Sequence, residues 1–168
     1  SPITIAIMRL GHIIKHASDG MPNMPDWRPK LRSRADGNPR IMGILNITPD
    51  SFYDQSRHET VESATGEAIA MAENGADWID IGGESTRPGS RAVPPREEEA
   101  RVVPVIRAIR DELPDIGISI DTRRSTVASA SLDAGANMIN DVSSLGDSGM
   151  AEVIVEYGCP VCLMHMKG

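Results

Sequence analysis

From Arg40 onward, short apolar runs alternate along the chain with segments whose apolar residues recur at helical spacing. The runs Ile41–Leu45, Trp78–Ile81, Ile116–Ile120, Met138–Asn140 and Val161–Met164 predict strands buried on both faces of a sheet. Between the first two, Val61, Ala64, Ala68, Ile69 and Ala72 fall on one helical face, and Gly75 stands where a helix-ending glycine belongs. Pro94-Pro95-Arg96-Glu97-Glu98-Glu99 opens a second helix, because proline suits the first turn and acids suit the positive end of the helix dipole. Val102, Val105, Ile106 and Ile109 give its apolar stripe, and Pro104 is expected to kink it or tighten an early turn. A third helix is expected from Ser125, as N-cap, to Gly135, and a fourth from about Ser148 to Gly158.

An internal echo supports this reading. Gly75-Ala-Asp-Trp-Ile-Asp80 and Gly135-Ala-Asn-Met-Ile-Asn140 each place a helix-ending glycine ahead of a strand. Strand, helix and strand in repetition imply an α/β fold whose parallel sheet is joined by right-handed crossovers. A doubly wound sheet and a barrel both satisfy this pattern.

Composition narrows the partners. No apolar stretch approaches the roughly 18 residues of a membrane span. The net charge is −7 and is unevenly spread: residues 1–40 hold seven basic and three acidic side chains, and the remainder holds ten basic and 21 acidic. The acidic body repels nucleic acid and anionic membranes. Residues 1–39 are basic and rich in Pro and Gly, and they read as a leader or linker; the ordered domain is expected over 40–168. Asp19, Asp26 and Asp36 argue against an acid-poor targeting presequence. Two cysteines, Cys159 and Cys162, are too few for a secreted disulfide scaffold and suit a cytoplasmic protein. Their C-x-x-C spacing opens a strand rather than a helix, which disfavours redox use.

Ligands of parallel α/β sheets bind at the carboxyl ends of the strands, and here every such end is polar. The ends carry Asn46 to Asp50, Gly82 to Gly89, Asp121 to Arg123, Asn140-Asp141 and His165 to Lys167. Asp121 and Asn140 together offer the acceptors and donors that read the mixed edge of an aminopyrimidinone ring. The alternative is that Asp121 caps the next helix and Asn140 ties loops together. Asp141 reads as a structural partner, and Asp80, set among apolar neighbours, reads as a hydrogen-bonded brace. In the long loop after the second strand, Arg87 offers an anion contact and Thr86 a hydroxyl. Asn46 offers an amide oxygen suited to a hard cation such as Mg2+. His165 between two methionines reads as packed, and no second histidine has zinc spacing.

Five segments, in order and with matching spacing, resemble dihydropteroate synthase. They are Ile41-Met-Gly-Ile-Leu-Asn-Ile-Thr-Pro-Asp-Ser-Phe52, Ile79-Asp-Ile-Gly-Gly-Glu-Ser-Thr-Arg-Pro-Gly89, Ile118-Ser-Ile-Asp-Thr122, Ile139-Asn-Asp141 and Pro160-Val-Cys-Leu-Met-His-Met166. The resemblance covers residues 40–168. It implies a (β/α)8 barrel, of which the chain carries about the first four and a half βα units. It also implies condensation of 6-hydroxymethyl-7,8-dihydropterin diphosphate with 4-aminobenzoate, giving dihydropteroate and diphosphate, with Mg2+ as cofactor and a homodimeric full-length enzyme. Carried over, Asp121 and Asn140 hold the pterin, and Asn46 sits at the Mg2+–diphosphate. Thr86 contacts the diphosphate end; Arg87 and Pro88 in the second loop and Phe52 in the first border the aminobenzoate pocket. No covalent or acid/base residue is implied, since diphosphate departs first and catalysis is chiefly electrostatic.

Two departures bear on this. Tyr53-Asp54-Gln55-Ser56 replaces the family's usual Ser-Asp-Gly-Gly turn. The chain also ends at Gly168, ahead of the family's later pterin-binding aspartate and its basic residues, so this polypeptide alone is expected to be inactive, as part of a longer chain. The rival readings are a pterin-binding methyltransferase acting on methyltetrahydrofolate and a non-enzymatic half-barrel that binds pterins.

Overall fold

The computed structural model of the chain describes residues 5–7, 36–47, 56–85 and 92–164. The elements within them are β1 (Ile5–Ile7), β2 (Met42–Asn46), α1 (Arg57–Glu73), β3 (Trp78–Gly82), α2 (Pro95–Glu112), β4 (Gly117–Asp121), α3 (Ser125–Asp133), β5 (Met138–Asp141), α4 (Met150–Tyr157) and β6 (Val161–Met164). Strands β2 to β6 pair in parallel in the order of the chain, and β1 lies antiparallel on β6. The basic leader thus contributes a strand to the sheet. No described helix is long and apolar enough to cross a membrane.

Strand order decides between the two architectures. When each strand is laid beside its predecessor by crossovers of one hand, every helix falls on the same face. Consecutive helices accordingly pack on one another, α1 on α2, α2 on α3 and α3 on α4. A doubly wound sheet reverses direction and carries helices on both faces. The fold is therefore α/β of the barrel type, part of a (β/α)8 barrel.

The core lies between sheet and helices. Leu45, Ile79, Ile81, Ile118, Ile120 and Ile139 meet Val102, Val105, Ile106 and Ile109 of α2, all buried. Full burial of each such side chain favours folding by about 1.5–3 kcal/mol. The other sheet face differs from the sequence reading. Strands β3 and β4 are buried on both faces, but in β2 Met42 and Ile44 are exposed, Ile44 by 66%. β2 is an edge strand, and these side chains point away from the helices.

Local chemistry explains the element ends. Ser56 and Glu59 close a capping box at α1: the Ser56 hydroxyl accepts from Glu59 N at 3.3 Å, and the Glu59 carboxylate accepts from Ser56 N at 2.7 Å. Gly75 and Gly135 follow their helices at φ +96° and +114°, where only glycine is unstrained. The echo extends one step further: Asp77 accepts from Ile41 N at 2.8 Å, and Asn137 accepts from Ile118 N at 3.0 Å, each completing the start of the neighbouring strand. Helix α2 runs on through Pro104. At α3 the expected cap is corrected: Arg124 is the N-cap and Ser125 the first helical residue. Asp147, from the loop before α4, does the capping by accepting from Ser125 N at 3.0 Å; it also accepts from Gly149 N at 2.9 Å, and these two backbone bonds hold its carboxyl below the usual range.

Gly117 faces Trp78 across the β3–β4 pair, and a Cβ there would stand 2.4 Å from the indole ring. Gly117→Ala is expected to lower stability by about 1–3 kcal/mol. Urea unfolding checks this; an unchanged midpoint would mean that the indole yields without cost.

Candidate functional site

Strand register brings the predicted polar residues into one row. Asn46 pairs with Gly82, Gly82 with Asp121, and Asp121 with Asn140 at the carboxyl ends of four neighbouring strands, and Asn140 pairs in turn with Cys162 near the start of β6. Side chains alternate along each strand, so all five positions share the face turned away from the helices. Gly82 sits in the middle. A Cβ there would lie 3.5 Å from Asn46 Oδ1 and 3.6 Å from Asp121 Oδ2, ordinary contact distances that clash with nothing. The glycine leaves a gap that both oxygens border.

Asp121 is the electrostatic centre of the row. Its carboxylate has no hydrogen-bond partner among the described residues, so it does not cap α3. Burial pushes its pKa up to about 7, with further upward pushes from the charges of Asp80, Glu98, Asp141 and Glu84. A half-ionised acceptor without a partner suits a ligand that brings N–H donors and, better, positive charge. Asn140 donates from Nδ2 to Asp80 Oδ2 at 3.0 Å, which makes Asp80 the brace expected from its position. Asp141 is the structural neighbour: its carboxylate accepts from Ser143 N, Ser143 Oγ and Leu145 N at 2.6–2.8 Å. It thereby steadies a loop in which Ser144 and Leu145 hold positive φ.

Beside the row runs an ion-pair network that sequence reasoning missed. Glu98, 1% exposed, accepts from Thr122 Oγ1 at 2.7 Å and from Arg124. Arg124 also donates to Glu84 at 2.7 Å, and Glu84 accepts in addition from Arg123 and from Val93 N, each at 3.0 Å. Burial pushes the Glu84 carboxyl up, but the bonds from Arg124 and Val93 and the two arginine charges outweigh it and hold the group below its usual range. The sequence carried a signal for Glu98: it lies four residues before Val102, on the same apolar stripe as Val105, Ile106 and Ile109. Glu84 bonds Val93 across the loop that holds Thr86, Arg87 and Pro88, and so fixes that loop's two ends.

The model of the family described as pterin binding enzyme matches residues 42–168. The chain belongs to this family. Within the pterin-binding family, it is 50% identical over 128 residues to a dihydropteroate synthase of Clostridium beijerinckii, which covers 76% of this chain and 47% of that protein. A solved dihydropteroate synthase from Clostridium difficile, in the presence of pteroic acid, superposes with a TM-score of 0.70 at 50% identity, over 73% of this chain and 46% of that one. The Xanthomonas albilineans dihydropteroate synthase with 4-aminobenzoic acid gives 0.68 at 48% identity, over 73% and 45%. The chain spans about half the length of these pterin-binding relatives.

Of the expected site residues, Asn46, Asp121 and Asn140 share the row, whereas Phe52, Thr86, Arg87 and Pro88 lie outside the described residues, as does His165, expected to be packed. Among the described residues no group of three or more His, Cys, Asp or Glu side chains is arranged to hold a metal. Burial pushes the Cys159 thiol up to about 12, so almost none of it is thiolate near pH 7.

Proposed function

We propose that this pterin-binding chain supplies the ring-holding half of a dihydropteroate synthase, which joins 6-hydroxymethyl-7,8-dihydropterin diphosphate to 4-aminobenzoate and releases diphosphate. The observation that carries this reading is the unpartnered Asp121 carboxylate beside Asn140 at the strand ends, in a chain half identical to dihydropteroate synthases. Asp121 accepts from ring N–H groups, and Asn140 adds one acceptor and one remaining N–H. Asn46 turns a hard, uncharged oxygen to the same opening, which fits Mg2+, a cation that prefers oxygen and takes most of its ligands from water and phosphate. When bound, Mg2+ neutralises charge on the diphosphate. The resemblance to dihydropteroate synthase assigns Thr86 to that anionic end, and Phe52, Arg87 and Pro88 to the aminobenzoate pocket. The chain's own contribution is to orient the pterin methylene so that the aromatic amine meets it in place of water.

Protonation gives a direct test. A ring N–H bound to Asp121 favours the ionised carboxyl, so binding below about pH 7 displaces a proton, and affinity climbs with pH up to that value. Titration calorimetry with 6-hydroxymethyl-7,8-dihydropterin at pH 6, in buffers of different ionisation enthalpy, is expected to report close to one proton released. No binding, or binding without proton release, would overturn the assignment.

A further inference from the structure

The row of strand-end residues is underlain by a second one, in which Asp80 pairs with Ser119 across β3 and β4, and Ser119 with Met138 across β4 and β5. Asp80 is 5% exposed, and burial is the main influence raising its pKa, opposed by the nearby Ser119 hydroxyl and the Asn140 amide. Its Oδ1 and the neighbouring Ser119 Oγ, both buried, meet no standard hydrogen-bond geometry. A carboxylate so placed is costly for the fold, and a leucine or an asparagine would be cheaper. What the carboxylate does there is accept from Asn140 Nδ2 at 3.0 Å.

The chemistry of that acceptor is the point. An asparagine at position 80 could meet Asn140 with either end of its amide, because an amide both donates and accepts. An ionised carboxylate only accepts, so it admits Nδ2 and repels Oδ1. The Asn140 amide is thereby held in one of its two orientations. Its Oδ1 has no partner among the described residues, and Asn140 is the cross-strand neighbour of Asp121.

Resting on the pterin reading above, we propose that Asp80 is a specificity-setting positioning residue: by orienting the Asn140 amide it fixes the order of acceptor and donor that the site presents to the ring. Two acceptors, Asp121 and Asn140 Oδ1, then face the ligand side by side. They match a ring edge of adjacent N–H donors and reject an isomer in which a carbonyl oxygen takes a donor's place.

The test has two arms on the 168-residue chain. In the first, binding of 6-hydroxymethyl-7,8-dihydropterin is compared with that of its isomer in which the 2-amino and 4-oxo groups are exchanged. The wild-type chain is expected to favour the 2-amino-4-oxo ring, and Asp80→Asn to cut that preference at least about tenfold, the value of one well-placed hydrogen bond. Asp80→Asn with an unchanged preference overturns the proposal, because a merely structural role would lower both affinities together. In the second arm, which needs no ligand, the side-chain amide protons of Asn140 are observed by NMR and assigned with Asn140→Ser. One proton is expected downfield and protected from exchange in the wild type; an ordinary, rapidly exchanging pair overturns the proposal even if Asp80→Asn does not fold. A wild-type chain that binds neither ring while keeping the protected amide overturns the pterin reading instead.

Discussion

Replacing Arg124 with alanine is expected to lower the free energy of unfolding by about 3–5 kcal/mol, far more than a surface ion pair is worth. The reason is Glu98. Its carboxylate is 1% exposed and held between Arg124 and the Thr122 hydroxyl, so removing Arg124 leaves a buried charge with one neutral donor. The same change frees one oxygen of Glu84, although Arg123 and Val93 N still hold the other. Urea unfolding of the wild type, Arg124→Ala and the pair Arg124→Ala with Glu98→Gln measures the effect, and the double variant is expected to recover most of the loss. A loss below about 1 kcal/mol would show that water reaches Glu98 freely.

Asp121→Asn is expected to weaken pterin binding by about 100-fold, through loss of a charge-assisted hydrogen bond, while making the free protein more stable at alkaline pH. The sign follows from linkage. The folded pKa of Asp121 is about 7, above the ordinary 3.8, so between these values the native chain holds the proton more tightly than the unfolded one. Its stability therefore falls as pH rises through that window, at a slope approaching about 1.4 kcal/mol per pH unit, and the penalty is fully present above pH 7 and absent below 3.8. Asparagine has no proton to lose, so the difference between variant and wild type should widen with pH and then level off. Thermal melts from pH 4 to 8 check this; a constant difference would show that Asp121 titrates normally. A residue that lowers stability and raises affinity is what a preorganised binding group looks like.

The fold was largely legible because its signals are local. Each strand of a parallel sheet is a short apolar run, and each crossover helix repeats its apolar face every three or four residues, so both periods stand out in the sequence. The row of Asn46, Asp121 and Asn140 was legible for a related reason: a polar residue directly after a buried strand has only the mouth of the sheet to occupy. What escaped was set by tertiary contact. The cap of α3 comes from Asp147, 22 residues beyond Ser125. Glu98 finds its hydrogen-bond partners 24 and 26 residues away. The bond from Asn140 to Asp80 spans 60 residues, and nothing in the local pattern pairs those two side chains. Exposure of Met42 and Ile44 depended on β2 standing at the sheet edge, which composition does not encode.

The agreement between strand order and chain order also bears on how the sheet is assembled. From β2 to β6, each strand needs only the one before it and a single intervening helix, so every loop to be closed is one βα unit long and its entropic cost is modest. A chain emerging from the ribosome has two strands and the helix that covers them once residue 82 is free, and each later unit docks on a surface already formed. The exception is β1, whose partner β6 lies beyond four intervening βα units, so that pairing closes a far longer loop than any of the others.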